Sequence, residues 1–257
     1  MTNERSGIAA IAVALLESAQ GGDPAAARRL SEVLPLLKEV AASGEVDAQN
    51  ALGGILLEFE EDPSSAAPWF EKAAEQGSVE AKRSLGHLYA NGLGVSEDIE
   101  QAERLFKEAA GQGDVYAQFN LAQLWWGKRD PEVVASLLRA AAEGGLHDAY
   151  VVLGDLLAAM DQDAQAFRCY LNAAESGHDG AMYVTACWYR DGTLGQPDKG
   201  EALVWFFRML RAGNADGLHE TIALARSMSD EEILHAGQRA NASNEAKAMV
   251  GTVRKHR

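Results

Sequence analysis

The side chains that could carry acid–base or metal chemistry are dispersed along this sequence instead of being grouped. Six histidines are present: His87, His147, His178, His219, His235 and His256. No two of them lie four residues apart. None belongs to the HExxH pattern, which places two zinc ligands and a general base on one face of a helix. We therefore expect no catalytic residue, no metal site and no cofactor.

The two cysteines, Cys169 and Cys187, also lack the spacing of a redox or zinc motif. Neither belongs to a CxxC pair, and two cysteines are too few for the disulfide framework of a small secreted domain. Two small, buried or half-buried thiols are the simplest interpretation. Free thiols are typical of proteins in a reducing compartment, so we expect this protein to be located in the cytoplasm.

Two glycine-rich segments have a composition that is also found in phosphate-binding loops. They are Gly92-Leu93-Gly94 and Gly144-Gly145. Neither follows a segment typical of a strand, which a phosphate-binding loop requires. Both stand where helical patterns end, and glycine readily adopts the left-handed conformation that ends a helix. We interpret both segments as helix-ending turns.

Composition and charge exclude several classes of partner. The chain has 257 residues, of which 47% are apolar, and its formal net charge of −15 comes from 38 acidic and 23 basic side chains. Binding to nucleic acid needs a basic surface, so this class is excluded, as is docking on an anionic membrane. No apolar run reaches the ~18 residues that a membrane-spanning helix needs. The charge does suit a basic partner.

The elements that must position any functional residue are clearest between Ala81 and Gly113. Apolar residues recur there at helical spacing, on one face of each half. They are Ala81, Leu85, Leu88 and Tyr89 in the first half, and Ala102, Leu105, Phe106, Ala109 and Ala110 in the second. The turn at Gly92 and Gly94 separates the halves. The stretch is thus a helix–turn–helix hairpin, which can bury its apolar faces only by stacking on others.

The hairpin is repeated along the chain. Successive units open with an alanine, at spacings of 33, 36, 32 and 32 residues: Ala48, Ala81, Ala117, Ala149 and Ala181. A small residue five positions later allows the second helix to approach closely, and a large apolar side chain should fill the gap. The predicted fillers are Phe70, Phe106, Leu138, Tyr170 and Phe206. Repetition of this kind predicts an all-α solenoid.

These residues resemble the Sel-one-like repeat (SLR) family, a relative of the tetratricopeptide repeats. The unit from Ala81 to Gly113 matches the family pattern almost throughout, whereas the unit from Ala181 departs from it at Thr185 and Ala186. The resemblance covers about residues 45–217. It implies a right-handed α-solenoid, a superhelix of about five helix–turn–helix repeats with degenerate N- and C-terminal capping helices. It also implies an adaptor in signalling or in the assembly of complexes.

Three segments follow from this assignment. Residues 1–44 are predicted to form a degenerate repeat or capping helices, 45–217 the Sel-one-like repeats, and 218–257 a capping helix and a basic tail. Pro35 lies within the second helix of the first segment, where a kink or a break is expected. The stretch from Ser227 to Ala242 resembles a closing helix. The basic end from Lys247 is expected to be frayed.

Candidate binding residues are those that the helical frame does not need. By analogy with tetratricopeptide repeats, the first helices line the inner face, with positions one residue before the opening alanine and two, six and nine after it. The candidates for binding a protein are Arg83, His87, Tyr116, Phe119, Gln123, Trp126, Tyr183 and Arg190. Aromatic residues and arginine dominate the binding energy of many interfaces. Core packing of Phe119 and Trp126 is the alternative, and Trp125 and Trp188 are expected in the core.

The predicted function is a non-enzymatic adaptor or scaffold that binds a partner protein or peptide in the concave groove of a monomer. An immunity or inhibitor protein that neutralises a basic toxin is the first alternative, motivated by the size and charge of the chain. An enzyme or a binder of cell-wall fragments is a further alternative, although no nucleophile–base pair supports it. A purely structural spacer is the last.

Overall fold

The computed structural model describes residues 7–255, which contain fifteen helices and no strand. The chain divides between Lys128 and Arg129 into two compact units, called here the first and the second unit. The first unit contains α1 (Ile8–Gln20), α2 (Pro24–Ala42), α3 (Val46–Glu58), α4 (Pro63–Glu75), α5 (Val79–Asn91), α6 (Ile99–Ala110) and α7 (Val115–Trp125). The second contains α8 (Pro131–Glu143), α9 (Asp148–Ala159), α10 (Asp163–Glu175), α11 (Asp179–Asp191), α12 (Lys199–Arg211), α13 (Leu218–Ala225), α14 (Asp230–Arg239) and α15 (Ser243–Arg254). The predicted all-α repeat fold is confirmed.

Polar residues at the helix starts explain where many of these helices begin. Their side chains accept a hydrogen bond from a backbone N–H of the first turn, which satisfies a donor that the helix itself cannot pair. They are Asp23, Asp62, Ser78, Asp98 and Asp114 in the first unit, and Asp130, His178, Asp198 and Ser229 in the second. At the other end, Gly92 and Gly192 stop α5 and α11 in the left-handed conformation, with φ of 63° and 68°. The predicted turn at Gly92 is therefore confirmed.

The core of each unit has the predicted pairing of a small residue with a large filler. All five fillers are buried: Phe70, Phe106, Leu138, Tyr170 and Phe206. A methyl group added to Gly53 would lie 2.7 Å from the Phe70 ring, and one added to Gly154 would lie 2.7 Å from the Tyr170 ring. Only glycine permits so close an approach, so these pairs fix the spacing within the α3–α4 and α9–α10 hairpins.

The N-terminal helices differ from expectation at one point. Pro35 does not break α2, which runs unbroken from Pro24 to Ala42. Burial of Leu30, Leu37 and Val40 on either side of the proline holds both halves of the helix against the first unit. The packing of this apolar face outweighs the backbone hydrogen bond that a proline removes.

The C-terminal end is the larger correction. The chain from Lys247 onwards was expected to be frayed, but the described part of it belongs to α15, whose residues Ala246, Met249, Val250 and Val253 are buried. A methyl group on Gly237 of α14 would lie 2.2 Å from the Ala246 Cβ atom, so the two helices pack closely. The predicted closing helix lies within residues 227–242 as α14, and a capping box of Ser229 and Glu232 starts it. His256 and Arg257 lie outside the described residues.

Within residues 7–255, none of the helices combines the length and the apolar character that a bilayer crossing would need.

Candidate protein-binding site

The structure brings three of the eight candidate residues together in one open cleft of the first unit. The cleft has a volume of about 450 Å³, and three successive first helices, α3, α5 and α7, contribute to its walls together with the α5–α6 loop. The candidate residues that line it are Arg83, His87 and Tyr116. The other lining residues were not predicted from the sequence: Leu57, Glu58, Ser84, Leu93 and Asn120.

Some of the missed residues follow from the repeat itself. Leu57 lies nine residues after the opening Ala48, which is an inner-face position under the spacing already applied to the later repeats. Ser84 and Asn120 both lie three residues after an opening alanine, beside the positions of Arg83 and Phe119. Leu93 belongs to the loop, and no helical spacing could have placed it in the cleft.

Arg83 is fixed on the cleft wall by its neighbours. Its Nη1 donates a hydrogen bond to Asp114 Oδ2 at 2.7 Å, and the other carboxylate oxygen of Asp114 accepts from the Ala117 N–H at 2.7 Å. The same carboxylate therefore starts α7 and holds an arginine of α5. The guanidinium carbon lies 5.0 Å from the centre of the Tyr116 ring, within the range of a cation–π contact. Arginine and tyrosine are thus pre-positioned, with the positive charge largely neutralised by Asp114.

Two of the aromatic and apolar side chains that line the cleft are exposed to solvent. Tyr116 is 53% exposed and Leu93 is 38% exposed. Further along α7 and just beyond it, Phe119 is half-buried, whereas Trp126 is 41% exposed. Large exposed apolar residues close together are a common mark of an interaction surface. Tyr116 and Trp126 are therefore not core residues, while Phe119 is intermediate.

The polar rim of the cleft carries ordinary hydrogen bonds. Glu58 Oε2 accepts from Gln20 Nε2 at 2.8 Å, and Asn91 Nδ2 donates to the His87 backbone carbonyl at 2.9 Å. His87 and Gln123 are exposed. This arrangement offers hydrogen-bonding groups and apolar surface to a ligand, but it holds no nucleophile beside a base.

The remaining two candidates, Tyr183 and Arg190, lie on α11 of the second unit and are engaged within that unit. The Tyr183 hydroxyl donates to Glu220 Oε1 at 3.3 Å, and Arg190 makes two hydrogen bonds to the Asp191 carboxylate, at 2.7 and 2.8 Å. The hydrogen bonds from Arg190 lower the pKa of Asp191. Interaction with Cys187, then burial and the Glu220 carboxylate, raise the pKa of Tyr183.

The two tryptophans that were expected in the core are half-buried. Trp125 has the Lys107 Nζ atom 5.2 Å from its ring centre. Trp188 stacks on Phe167 with ring centres 5.8 Å apart. Both therefore pack against neighbours, as expected, while retaining an accessible part, which the sequence analysis did not foresee.

Groups that could carry other chemistry are few in the described part of the chain. No three His, Cys, Asp or Glu side chains between residues 7 and 255 cluster so that they could hold a metal ion. Burial raises the pKa of Cys169 and of Cys187. Both therefore remain thiols at neutral pH, and a thiol is a poor nucleophile.

Comparison with known proteins places the repeats in a family. The Sel1 repeat profile matches five segments, at residues 46–78, 79–114, 115–146, 158–178 and 180–214. A comparison with curated proteins finds no match.

Two solved structures are similar over most of the chain. The protective antigen c5321 of uropathogenic Escherichia coli, which displays an SLR fold, is 26% identical with a TM-score of 0.70. The alignment covers 97% of this chain and 59% of c5321, so this chain spans little more than half the length of that protein. A Sel1 repeat protein from Oxalobacter formigenes is 26% identical with a TM-score of 0.63, and the alignment covers 88% of this chain and 94% of that one.

Proposed function

The chain belongs to the Sel1 repeat family, and from this premise we propose that it binds a partner protein or peptide on the α5–α7 face of its first unit. This face consists of Arg83 and His87 on α5, and of Tyr116, Phe119, Gln123 and Trp126 on and after α7. Helical repeat folds of this kind generally mediate protein–protein interaction and are typically not catalytic. The module proposed here is accordingly non-enzymatic.

The observation that carries the proposal is the cleft around Tyr116. An exposed tyrosine lies beside an arginine whose geometry is fixed by Asp114. Side chains that are already held in place lose little conformational freedom when a partner binds. Tyrosine and arginine are also among the residues that contribute most to binding energy. Tyr183 and Arg190 belong to the second unit, and their role in binding stays a prediction.

Charge supports a basic partner for this face. Residues 1–128 contain 20 acidic and 10 basic side chains, a net charge of −10, whereas residues 129–257 contain 18 and 13, a net charge of −5. Most of the negative charge thus lies in the half of the chain that carries the cleft, and Glu58 is one of its walls. A basic partner would be attracted to the first unit at long range.

The test is a comparison of three baits in a pull-down from a lysate of the source cells. The baits are the wild type, Tyr116→Ala and Leu218→Ala, the last being an apolar residue of the second unit that is 41% exposed. We expect a protein to be recovered with wild type and Leu218→Ala, and to fall at least about tenfold with Tyr116→Ala. Circular dichroism must first show that all three baits have equal helix content.

Two results would contradict the proposal. Equal recovery with all three baits would remove the α5–α7 face from binding. A loss with Leu218→Ala but not with Tyr116→Ala would move the site to the second unit. Trp126→Ala, as a fourth bait, tells whether binding extends along the face beyond the cleft.

The concentration of negative charge in residues 1–128 also favours a second candidate, an immunity protein that neutralises a basic toxin. Such a protein must associate fast, and electrostatic attraction speeds association in a way that salt suppresses. For a recovered partner, the association rate should fall at least about tenfold when the ionic strength rises from about 0.01 to 0.15 M. A rate that salt does not change would exclude electrostatic steering, and with it the basic partner on which this candidate rests.

A further inference from the structure

A small aromatic pocket lies in the second unit, whereas the proposed binding face belongs to the first. Its volume is about 240 Å³. Phe167 of α10 and Trp188 and Tyr189 of α11 form its walls, and the α11–α12 loop from Gly192 to Asp198 forms the remainder. Pockets for drug-sized ligands usually have about 300–1,000 Å³. The space therefore suits one long side chain.

The three rings are arranged as a partly open cluster. The Phe167 and Trp188 rings are stacked, with centres 5.8 Å apart and an angle of 11°, while Phe167 meets Tyr189 edge to face at 5.2 Å. All three side chains are half-buried. The rings hold one another in place and still contribute accessible surface to the pocket.

The corresponding place in the first unit is filled. Ala67 and Leu88 stand where the pocket has Phe167 and Trp188, and both are buried. The α5–α6 loop there packs on the start of α4, since a methyl group on Gly94 would lie only 2.3 Å from the Pro63 carbonyl carbon. Leu194 stands at the position of Gly94 and is 48% exposed. The repeat that opens at Ala81 therefore has no room for the same pocket.

The charges around the pocket are mainly negative. Asp198 lines it directly, and one of its oxygens caps α12 by accepting from the Glu201 N–H at 2.9 Å. The pKa of the Tyr189 phenol is raised by burial and, in decreasing order, by the carboxylates of Glu201, Asp198 and Glu175, while Arg239 acts in the opposite direction. Arg239 is ion-paired with Glu201. Among the residues that line the pocket, Asp198 is the charged one, so the pocket wall itself carries a negative charge.

We propose that this pocket binds the side chain of an arginine that another protein presents. Aromatic faces attract cations, and the planar guanidinium both stacks on rings and pairs with a carboxylate such as that of Asp198. Arginine is also less strongly hydrated than lysine, so less hydration is lost on entry into a half-buried pocket. The site is distinct from the α5–α7 face and needs no partner on that face.

The probe for this site is Nα-acetyl-arginine methylamide, followed by NMR on the full chain. Five tryptophans give five indole N–H signals: Trp69, Trp125, Trp126, Trp188 and Trp205. The Trp188 signal is assigned by its loss in Trp188→Phe. We expect this signal and the amides of Gly192 and Gly195 to shift with a Kd of about 1–10 mM, as befits a single side chain. Nα-acetyl-norleucine methylamide, which has a similar length and no charge, should bind at least threefold more weakly.

A matched pair of variants tests the role of charge. Asp198→Asn removes the carboxylate charge but keeps a residue that caps helices well. It should weaken binding of the arginine derivative about threefold, since an exposed charge pair contributes only weakly to binding. Asp98→Asn changes the same cap in the first unit and should leave binding unchanged.

Three outcomes would overturn the inference. They are the absence of any Trp188 shift, equal binding of the norleucine derivative, and equal effects of Asp198→Asn and Asp98→Asn. Equal shifts of the first-unit indoles would overturn the inference as well, because they would indicate general attraction to an acidic protein. The experiment uses a small probe, so its failure leaves the proposed α5–α7 face unaffected, just as failure of the pull-down would leave this pocket unaffected.

Discussion

The α5–α6 and α11–α12 loops have equal lengths and the same anchors, but only the second of them leaves a pocket. Each contains seven residues, starting at a left-handed glycine and ending at an aspartate that caps the next helix. In each, the aspartate N–H donates to the carbonyl oxygen of a tyrosine: Asp98 to Tyr89 at 2.9 Å, and Asp198 to Tyr189 at 2.7 Å. The ends of the two loops are therefore held alike.

The difference lies in the third residue of each loop. Gly94 has φ of 70° and lies against the backbone of Pro63, whereas Leu194 occupies the same place in the second loop. A leucine has no room for such an approach, and around Gly195 an added methyl group would meet nothing within 4 Å. The close approach of the first loop to α4 therefore requires a glycine, whereas the second loop has a leucine at this position and lines a pocket.

The largest effect is expected when the first loop receives the residue of the second. Gly94→Leu places a side chain where even the Cβ atom would lie 2.3 Å from Pro63, at a positive φ that costs a non-glycine residue about 1–2 kcal/mol. Overpacking adds about 1–3 kcal/mol. We expect a loss of about 2–5 kcal/mol in the free energy of unfolding, measured by urea denaturation followed by circular dichroism.

The reverse exchange is the control. Leu194→Gly removes a half-exposed side chain from a loop and should cost at most about 1 kcal/mol, mainly through the greater flexibility of glycine in the unfolded chain. Similar losses from both exchanges would mean that the close contact of Gly94 does not distinguish the two loops.

Much of the fold was predictable because it depends on local periodicity. The alanine openers, the fillers and the helix-ending glycines recur at fixed positions, and each has a local physical reason. The prediction that the chain is frayed from Lys247 onwards was wrong because it considered the basic charge of this segment and not its helical periodicity. Ala246, Met249, Val250 and Val253 have the spacing of one helical face, which was visible in the sequence. They form the buried face of α15.

The candidate sites were less predictable, because a cleft depends on residues that come from several elements. Arg83 and Tyr116 followed from their positions in the repeat, whereas Leu93 entered the cleft from a loop. Trp188 was expected in the core because its position is apolar in the repeat. It stacks on Phe167 but also lines a pocket, to which Leu194 of the neighbouring loop contributes. Spacing within one repeat carries no information about such a neighbour.

Two substitutions in the core, with a smaller expected effect on the free energy of unfolding, test whether the repeats differ only in their loops. Gly53→Ala and Gly154→Ala each place a methyl group 2.7 Å from a filler ring, that of Phe70 and that of Tyr170. We expect each to lower the free energy of unfolding by about 1–3 kcal/mol. The loss at Gly154 should be the larger, because the Tyr170 hydroxyl donates to Asp155 at 2.7 Å and its ring can move less.

Gly54→Ala provides the matched control within α3. An added methyl group there meets nothing within 4 Å. Alanine is the better helix former, so this variant should gain about 0.5–1 kcal/mol. A difference of more than about 2 kcal/mol between Gly53→Ala and Gly154→Ala would show that the repeats differ in their core as well as in their loops.

The smallest effect concerns the tyrosines that anchor the two loops, Tyr89 and Tyr189. Burial is the main cause that raises the pKa of both phenols. At pH 7 both are neutral, and only the Tyr89 hydroxyl has a hydrogen-bond partner within residues 7–255, Glu71 at 3.3 Å. Tyr89→Phe should therefore cost up to about 1 kcal/mol at pH 7, and Tyr189→Phe close to nothing.

Above pH 10 the two variants should behave alike. The unfolded phenol ionises near pH 10, whereas the folded protein holds the proton to higher pH. The contribution of each phenol to the free energy of unfolding is complete below the pKa that it has in the unfolded chain. This contribution is lost as the pH rises through the pKa of the phenol in the folded protein. Phenylalanine cannot ionise, so each variant should lose less stability between pH 9 and pH 11 than the wild type, as measured by urea denaturation. If Tyr189→Phe lost as much free energy of unfolding as the wild type over this range, the phenol of Tyr189 would be solvated in the folded protein. The aromatic pocket would then be more open than the half-buried state of Tyr189 indicates.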